Sequence, residues 1–177
     1  MPPNVAIVGR PNVGKSALFN RLAGRKIAIV HDQPGITRDR ISAMCTRGAQ
    51  PFMLWDTGGV LGAGEPELTA QVRRGVEEAI RQSDLVLFVV DGKHGLSPID
   101  GQFARMLRKS NKPVVLTINK IDNEKREPFA TEFDLLGFEH SVSISAEHNR
   151  GISKLLEAIE ELLPASQISN QQSAISN

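Results

Sequence analysis

Short β-branched or leucine-rich runs punctuate the chain: "VAIV" (5–8), "FMLW" (52–55), "LVLFVV" (85–90), "VVLTI" (114–118) and "SVSIS" (141–145). Between most of them the apolar positions recur at helical spacing. Leu68, Val72, Val76, Ala79 and Ile80 share a face, as do Phe103, Met106 and Leu107, and again Ile152, Leu155, Leu156, Ile159 and Leu163. Apolar strands without alternation, separated by amphipathic helices, predict a mostly parallel sheet covered on both faces. The stretch "RISAMCTRGAQPFMLW" (40–55) differs, because its two runs around Gly48 leave no room for a helix. It predicts an antiparallel hairpin. The expected fold is therefore a three-layer α/β domain whose mixed sheet has about six strands, one of them an antiparallel edge strand. No internal repeat is visible.

Pro164 ends the last helical pattern, and "ASQISNQQSAISN" after it carries no charge and little apolar content. Such a segment has too little to bury to order itself. Residues 1–163 are thus expected to form one domain and 164–177 a polar linker or tail, the chain being part of something longer. The 177 residues suffice for one core and are short for two. No stretch approaches the roughly 18 continuous apolar residues of a membrane helix, and "MPPNVAIVG" lacks the basic region and cleavage site of a secretory signal. The single cysteine, Cys45, excludes an intrachain disulfide, and a reducing cytoplasm is the expected setting. Net charge is only +1, but it is unevenly spread: residues 1–50 carry eight Lys or Arg against Asp32 and Asp39. A bound polyanion would account for that skew, as would a solvated basic face.

"GRPNVGKS" (9–16) matches G-x-x-x-x-G-K-[ST] and stands between a predicted strand and the predicted helix "KSALFNRLAG". In that context the loop Gly9, Arg10, Pro11, Asn12, Val13, Gly14, with Lys15, Ser16 and Ala17 at the helix start, is a candidate phosphate cradle. Glycines let backbone N–H groups converge on phosphate oxygens, the lysine reaches the outer phosphates, and the Ser16 hydroxyl is placed to ligate Mg²⁺. "DTGGV" contributes Asp56 to the metal's surroundings, with Thr57, Gly58, Gly59 and Val60 following it. Gly59 offers an N–H to a γ-phosphate.

Two further loops end predicted strands on the edge where ligands bind in open α/β sheets: "NKID" (119–122) and "SISAEH" (143–148). The Asp122 carboxylate can accept from guanine N1–H and N2–H₂. Adenine would leave it desolvated and unpaired, and such a mismatch discriminates by about 10⁴-fold. Asn119 is expected to tie this loop to the cradle and the Lys120 stem to cover the base. Ile121 and Ser145 complete the lining, and the Ala146 N–H is expected to meet guanine O6.

"GRPNVGKS", "DTGG", "NKID" and "SA", in this order, resemble the translation-factor-related (TRAFAC) P-loop GTPases. With "AIVGRPNVGKSALFNRLAGRKIAIVHDQPGITRDR" and "SAEHNRGI", residues 4–163 are similar to the first G domain of the Der (EngA) family of bacterial ribosome-assembly GTPases. The resemblance implies a Ras-like G domain that binds GTP and GDP and acts with the large ribosomal subunit or its rRNA. It implies a second G domain and a KH-like domain in the parent protein, and no membrane. It also gives Thr37 contact with Mg²⁺ and the γ-phosphate, and makes Lys15, Asn12, Thr37 and Gly59 the candidates for hydrolysis. The tRNA-modification GTPases share the loop pattern but read "DTAG" where this chain has "DTGG". A nucleotide-sensing module with negligible turnover is the alternative from another class.

Val60 raises a difficulty, since it has no group that could orient water where Ras-like enzymes place a glutamine. Asn12 is the candidate for the missing help: the resemblance implies a K⁺ held by this loop asparagine, and stabilising the loop turn is its alternative role. His31, His94, His140 and His148 show no metal-ligand spacing and are expected to be loop polarity. Trp55 is expected to anchor the core, and Cys45 to be inert packing. Arg38 and Arg40 flank the expected switch segment, where solvated loop arginines and contacts to nucleotide or RNA are both open. Residues 25–40 and 56–68 are expected to change conformation with the nucleotide.

Overall fold

The computed structural model describes residues 1–24, 41–57 and 68–164. In chain order these form β1 (Asn4–Val8), α1 (Lys15–Ala23), β2 (Ile41–Cys45), β3 (Phe52–Asp56), α2 (Ala70–Gln82), β4 (Leu85–Asp91), α3 (Pro98–Ser110), β5 (Val114–Asn119), a 3₁₀ stretch (Glu124–Leu136), β6 (Ser141–Ser143) and α4 (Ile152–Leu162). The sheet order is β2-β3-β1-β4-β5-β6. Among the described strands only β2 runs antiparallel, pairing Ile41 with Asp56 through Cys45 with Phe52. The mixed sheet with one antiparallel edge strand is as the hydrophobic pattern predicts.

Alternate residues of β1 and β4 feed two cores. Val5, Ile7, Leu85, Leu87 and Val89 pack with Leu18, Phe19 and Leu22 of α1 and Leu155 and Ile159 of α4. Ala6, Val8, Val86, Phe88 and Val90 face Val76 and Ile80 of α2 and Phe103 and Leu107 of α3. The whole of β4 is buried, as a strand covered on both faces must be. Phe88 packs against the Phe103 ring at 6.0 Å and edge-on against Phe138 at 5.7 Å.

The structure differs from the sequence reading in four local features. The 3₁₀ stretch was not expected; Pro128 lies within it, and only Phe133 and Leu136 are buried there. The run 141–145 is a strand only to Ser143, because Ser145 turns back to exchange two 2.9 Å backbone bonds with Arg150. Leu68 precedes α2 rather than lying in it, since Thr69 caps the helix by accepting from the Val72 N–H at 3.2 Å. Trp55 belongs to neither core. Strand alternation turns it away from buried Phe52 and Leu54, and its half-buried ring donates to Asn4 Oδ1 at 3.0 Å. Cys45 is buried in β2, and burial pushes its thiol pKa up, in keeping with inert packing.

Among the described residues no helix is long and apolar enough to cross a membrane. The tail 165–177 and most of the expected switch segments, 25–40 and 58–67, lie outside the described residues, as do His31, Thr37, Arg38, Arg40, Gly58, Gly59 and Val60.

Candidate functional site

β1 lies between β3 and β4, where the chain's path across the sheet reverses, and its C-terminal end opens into the loop Gly9–Gly14. Such a reversal leaves a crevice at the strand ends. A side chain at Gly9 would collide with the Val89 carbonyl, so β4 itself requires a glycine there. Gly14 (φ 99°) caps α1, whose first N–H groups have no intrahelical acceptor and point into the crevice. Asn12 is left-handed as well (φ 68°), a conformation that asparagine tolerates better than most residues. The nearly buried Lys15 folds back over the loop, Nζ donating to the carbonyls of Gly9 (2.9 Å) and Arg10 (2.7 Å). Ser16 Oγ donates to Asp56 Oδ2 at 3.3 Å, so a hydroxyl and a carboxylate meet beside the loop. Those are hard oxygen donors of the kind Mg²⁺ prefers. No group of three or more His, Cys, Asp or Glu gathers among the described residues. An ion here would complete its shell from phosphate oxygens and water. Thr57, fully buried, donates to the Ile7 carbonyl at 2.6 Å and fixes the end of β3 to β1.

The second half of the site is tied to the first through Asn119, at the end of β5. Its Nδ2 donates to the Val13 carbonyl at 2.9 Å, and its Oδ1 accepts the Ala146 N–H at 3.0 Å. One side chain therefore joins three loops. Ala146 N–H, expected at guanine O6, is here directed at Asn119. Lys120 (φ 67°) donates to the Asn12 carbonyl at 2.8 Å and to Asp91 Oδ2 at 2.7 Å, which lays its stem across the crevice. Ile121 is buried beneath the loop and donates its N–H to Ile144 at 3.0 Å. Asp122 Oδ1 accepts from Ser145 Oγ at 2.8 Å, while Oδ2 has no hydrogen-bond partner among the described residues.

Sequence reasoning missed two participants, Asp91 and Arg21, and the partner of a third, Arg10. Asp91 ends β4 and accepts from Lys120 and from the N–H groups of Lys93 and His94, both at 2.9 Å. Burial opposes its ionisation, but Lys120 and the two N–H groups outweigh it and hold the carboxyl below its ordinary value. A carboxylate closing a core strand on the ligand edge was the available signal. Arg21 of α1 donates to the carbonyls of Ala146 (2.9 Å) and Glu147 (3.0 Å), bracing the last loop. Arg10 leans away from the crevice: Nε lies 3.4 Å from Asp100 Oδ1, and Nη2 is 3.2 Å from Nδ1 of the exposed His94. The Arg10–Asp100 contact is a charge pair without an aligned hydrogen bond. Burial keeps Asp100's pKa raised in spite of Arg10 and the Ser97 N–H. The "SPID" start of α3 carried that signal, as a capping box.

The family described as 50S ribosome-binding GTPase matches residues 4–120, which hold the phosphate loop, Asp56 and Asn119. The chain belongs to that family. It is a GTPase domain with the P-loop fold. GTPase Der of Syntrophotalea carbinolica is 51% identical over 161 residues, covering 91% of this chain. The chain spans only 37% of that relative's length. Among solved structures, an Era variant from Aquifex aeolicus bound to GDP·AlF₄⁻ is similar with a TM-score of 0.78 and 30% identity, over 93% of this chain and 58% of that one. Era in complex with MgGDPNP and nucleotides 1506–1542 of 16S ribosomal RNA gives 0.77 and 29%, with the same coverage.

Proposed function

We propose that this chain is the first GTP-binding domain of a larger Der-type GTPase that works in the cytoplasm on the large ribosomal subunit or its rRNA. In that reading residues 1–163 are the switch domain and 164–177 the linker towards a second G domain and a KH-like domain. The observation that carries the nucleotide assignment is Asn119, which fastens the loop bearing Asp122 to the loop bearing Lys15. A base held by Asp122 thereby fixes where the phosphates lie. The free Asp122 Oδ2 and the Ser145-oriented Oδ1 suit the paired N1–H and N2–H₂ donors of guanine. Binding the base would require Ala146 N–H to share its donation between Asn119 and guanine O6.

Ser16 and Asp56 would hold Mg²⁺, joined by Thr37 from the switch segment. Bound there, the ion would neutralise charge on the phosphate oxygens. Lys15 would leave the Gly9 and Arg10 carbonyls for the outer phosphates, and the N–H groups that open α1 would receive the remaining oxygens. Asn12 would offer its amide oxygen to K⁺, since this side chain makes no hydrogen bond to any described residue. Gly59 would add an N–H to the γ-phosphate.

Nucleotide preference tests the reading. Asp122→Asn should weaken GTP binding by about 100-fold or more and favour xanthosine triphosphate, whose C2 oxygen suits an amide donor. Unchanged GTP affinity in this variant would remove Asp122 from the site. Single-turnover hydrolysis by the intact chain separates a switch enzyme from a nucleotide-sensing module.

A further inference from the structure

The nucleotide crevice leaves the helical face formed by α2 and α3 unused. A cavity of about 360 Å³ lies between these helices, and its walls are strongly cationic: Arg73 and Arg81 on α2, Arg105 and Lys109 on α3, and Lys112 beyond it. Among the described residues Glu77 is its only acidic wall. The spacing is built into both helices. Positions 73, 77 and 81 recur every four residues, and 105 and 109 do the same, so each set stands in one row on its helix. The row on α2 is about 12 Å long at about 1.5 Å per residue. Arg81 pairs with Glu78. The side chains of Arg73, Arg105, Lys109 and Lys112 have no hydrogen-bond or ion-pair partner among the described residues. Five cations against one carboxylate around one groove, in a chain whose net charge is only +1, concentrate positive potential there.

We propose that the α2–α3 groove binds the phosphate backbone of an RNA. The floor contains Ile80 and Met106, both buried, and no large apolar side chain projects from either helix. The exposed large apolar residues among those described are Met1, Met44, Phe129 and Leu135, all elsewhere. A polypeptide partner would lack the buried anchor from which protein interfaces draw most of their energy. A phosphate backbone needs no such anchor, because its affinity comes from counterion release by lysine and arginine. Arginine adds paired N–H donors that match a phosphate's geometry. The choice of RNA over another polyphosphate rests on the ribosomal reading above; the groove's charge does not.

Fluorescence anisotropy with a labelled 20-base-pair RNA duplex tests this on the whole chain. At 50 mM salt the chain should bind, with log affinity falling against log salt at a slope of about −3 to −4 for four phosphate contacts. Arg105→Glu with Lys109→Glu should weaken binding at least about tenfold and flatten the slope by about 2. Lys125→Glu with Lys154→Glu changes net charge equally on other faces and should cost much less. RNA binding that survives the groove variant, or falls equally in both, overturns the proposal. So does equal affinity for poly-L-glutamate, which would make an acidic protein the partner. GTP affinity, measured on the same preparations, keeps the two readings apart. A chain that binds GTP but no RNA sinks the groove alone, and one that binds RNA through the groove without binding GTP sinks the nucleotide reading alone.

Discussion

Asp91 receives three hydrogen bonds at the edge of the sheet and faces Lys120, His94 and the buried Asp100. Its pKa is lowered by folding, so its contribution to stability is fully present above the ordinary value of 3.8 and is lost as pH falls through the lower folded value. Asp91→Asn keeps an acceptor for the two N–H groups but removes the charge opposite Lys120. It should cost about 1.5–3 kcal/mol near pH 7. Urea unfolding of both proteins should show that difference shrinking below about pH 4. A difference independent of pH would mean that the charge pair contributes nothing. Asn12 calls for a different experiment, because its left-handed backbone gives it a conformational role whatever its amide binds. Asn12→Gly retains that backbone and deletes the amide. GTP turnover in wild type should rise when K⁺ replaces Na⁺ at constant ionic strength. The glycine variant should lose that rise while still binding GDP, and Val60→Ala should keep it. Equal wild-type rates in the two salts would leave Asn12 only its turn.

The start of α1 and the end of β5 approach closely: a Cβ at Gly14 would strike Asn119 Nδ2. Gly14 also has a φ of 99°, so Gly14→Ala should destabilise the chain by about 1–3 kcal/mol through backbone strain and the displaced Asn119 amide together. Shortening Asn119 to alanine in that background removes the obstruction. Thermal unfolding should then show the double variant less destabilised than the sum of the two single changes. Strict additivity would mean that displacing the Asn119 amide adds nothing to the cost of Gly14→Ala. The sequence reading expects Asn119 to tie its loop to the cradle, but it carries no sign that Gly14 is the residue whose backbone the amide meets. What could be read there was periodic. Val76, Ile80, Phe103 and Leu107 repeat at helical spacing because they face one sheet, and "GRPNVGKS" is recognisable because backbone chemistry dictates its glycines. The 3₁₀ stretch escaped because Pro128 interrupts any pattern and only Phe133 and Leu136 must be buried. Asp91 and Arg21 escaped for another reason: their partners are carbonyls, N–H groups and a lysine distant in sequence.

At the scale of the whole molecule, one sheet separates two apolar cores with different duties. The core of α1 and α4 supports the phosphate loop and, through Arg21, the last loop of the base site. The core of α2 and α3 carries the cationic groove on its outer surface. Residues in the two cores touch different neighbours, so small changes on opposite faces should not interact except through the sheet. Ile159→Val on α4 and Ile80→Val on α2 test this, both side chains being almost fully buried and each losing one methylene. Each should cost about 0.5–1.5 kcal/mol. The pair should be additive within about 0.5 kcal/mol, as distant sites with no shared partners usually are. Urea unfolding followed by tryptophan fluorescence and by circular dichroism supplies the four stabilities. Coincident transitions would mark the sheet as the common element that makes both cores unfold together. A coupling well above 1 kcal/mol would instead show that the sheet transmits repacking from the groove face to the nucleotide face. The two proposed binding surfaces could then no longer be treated as energetically separate.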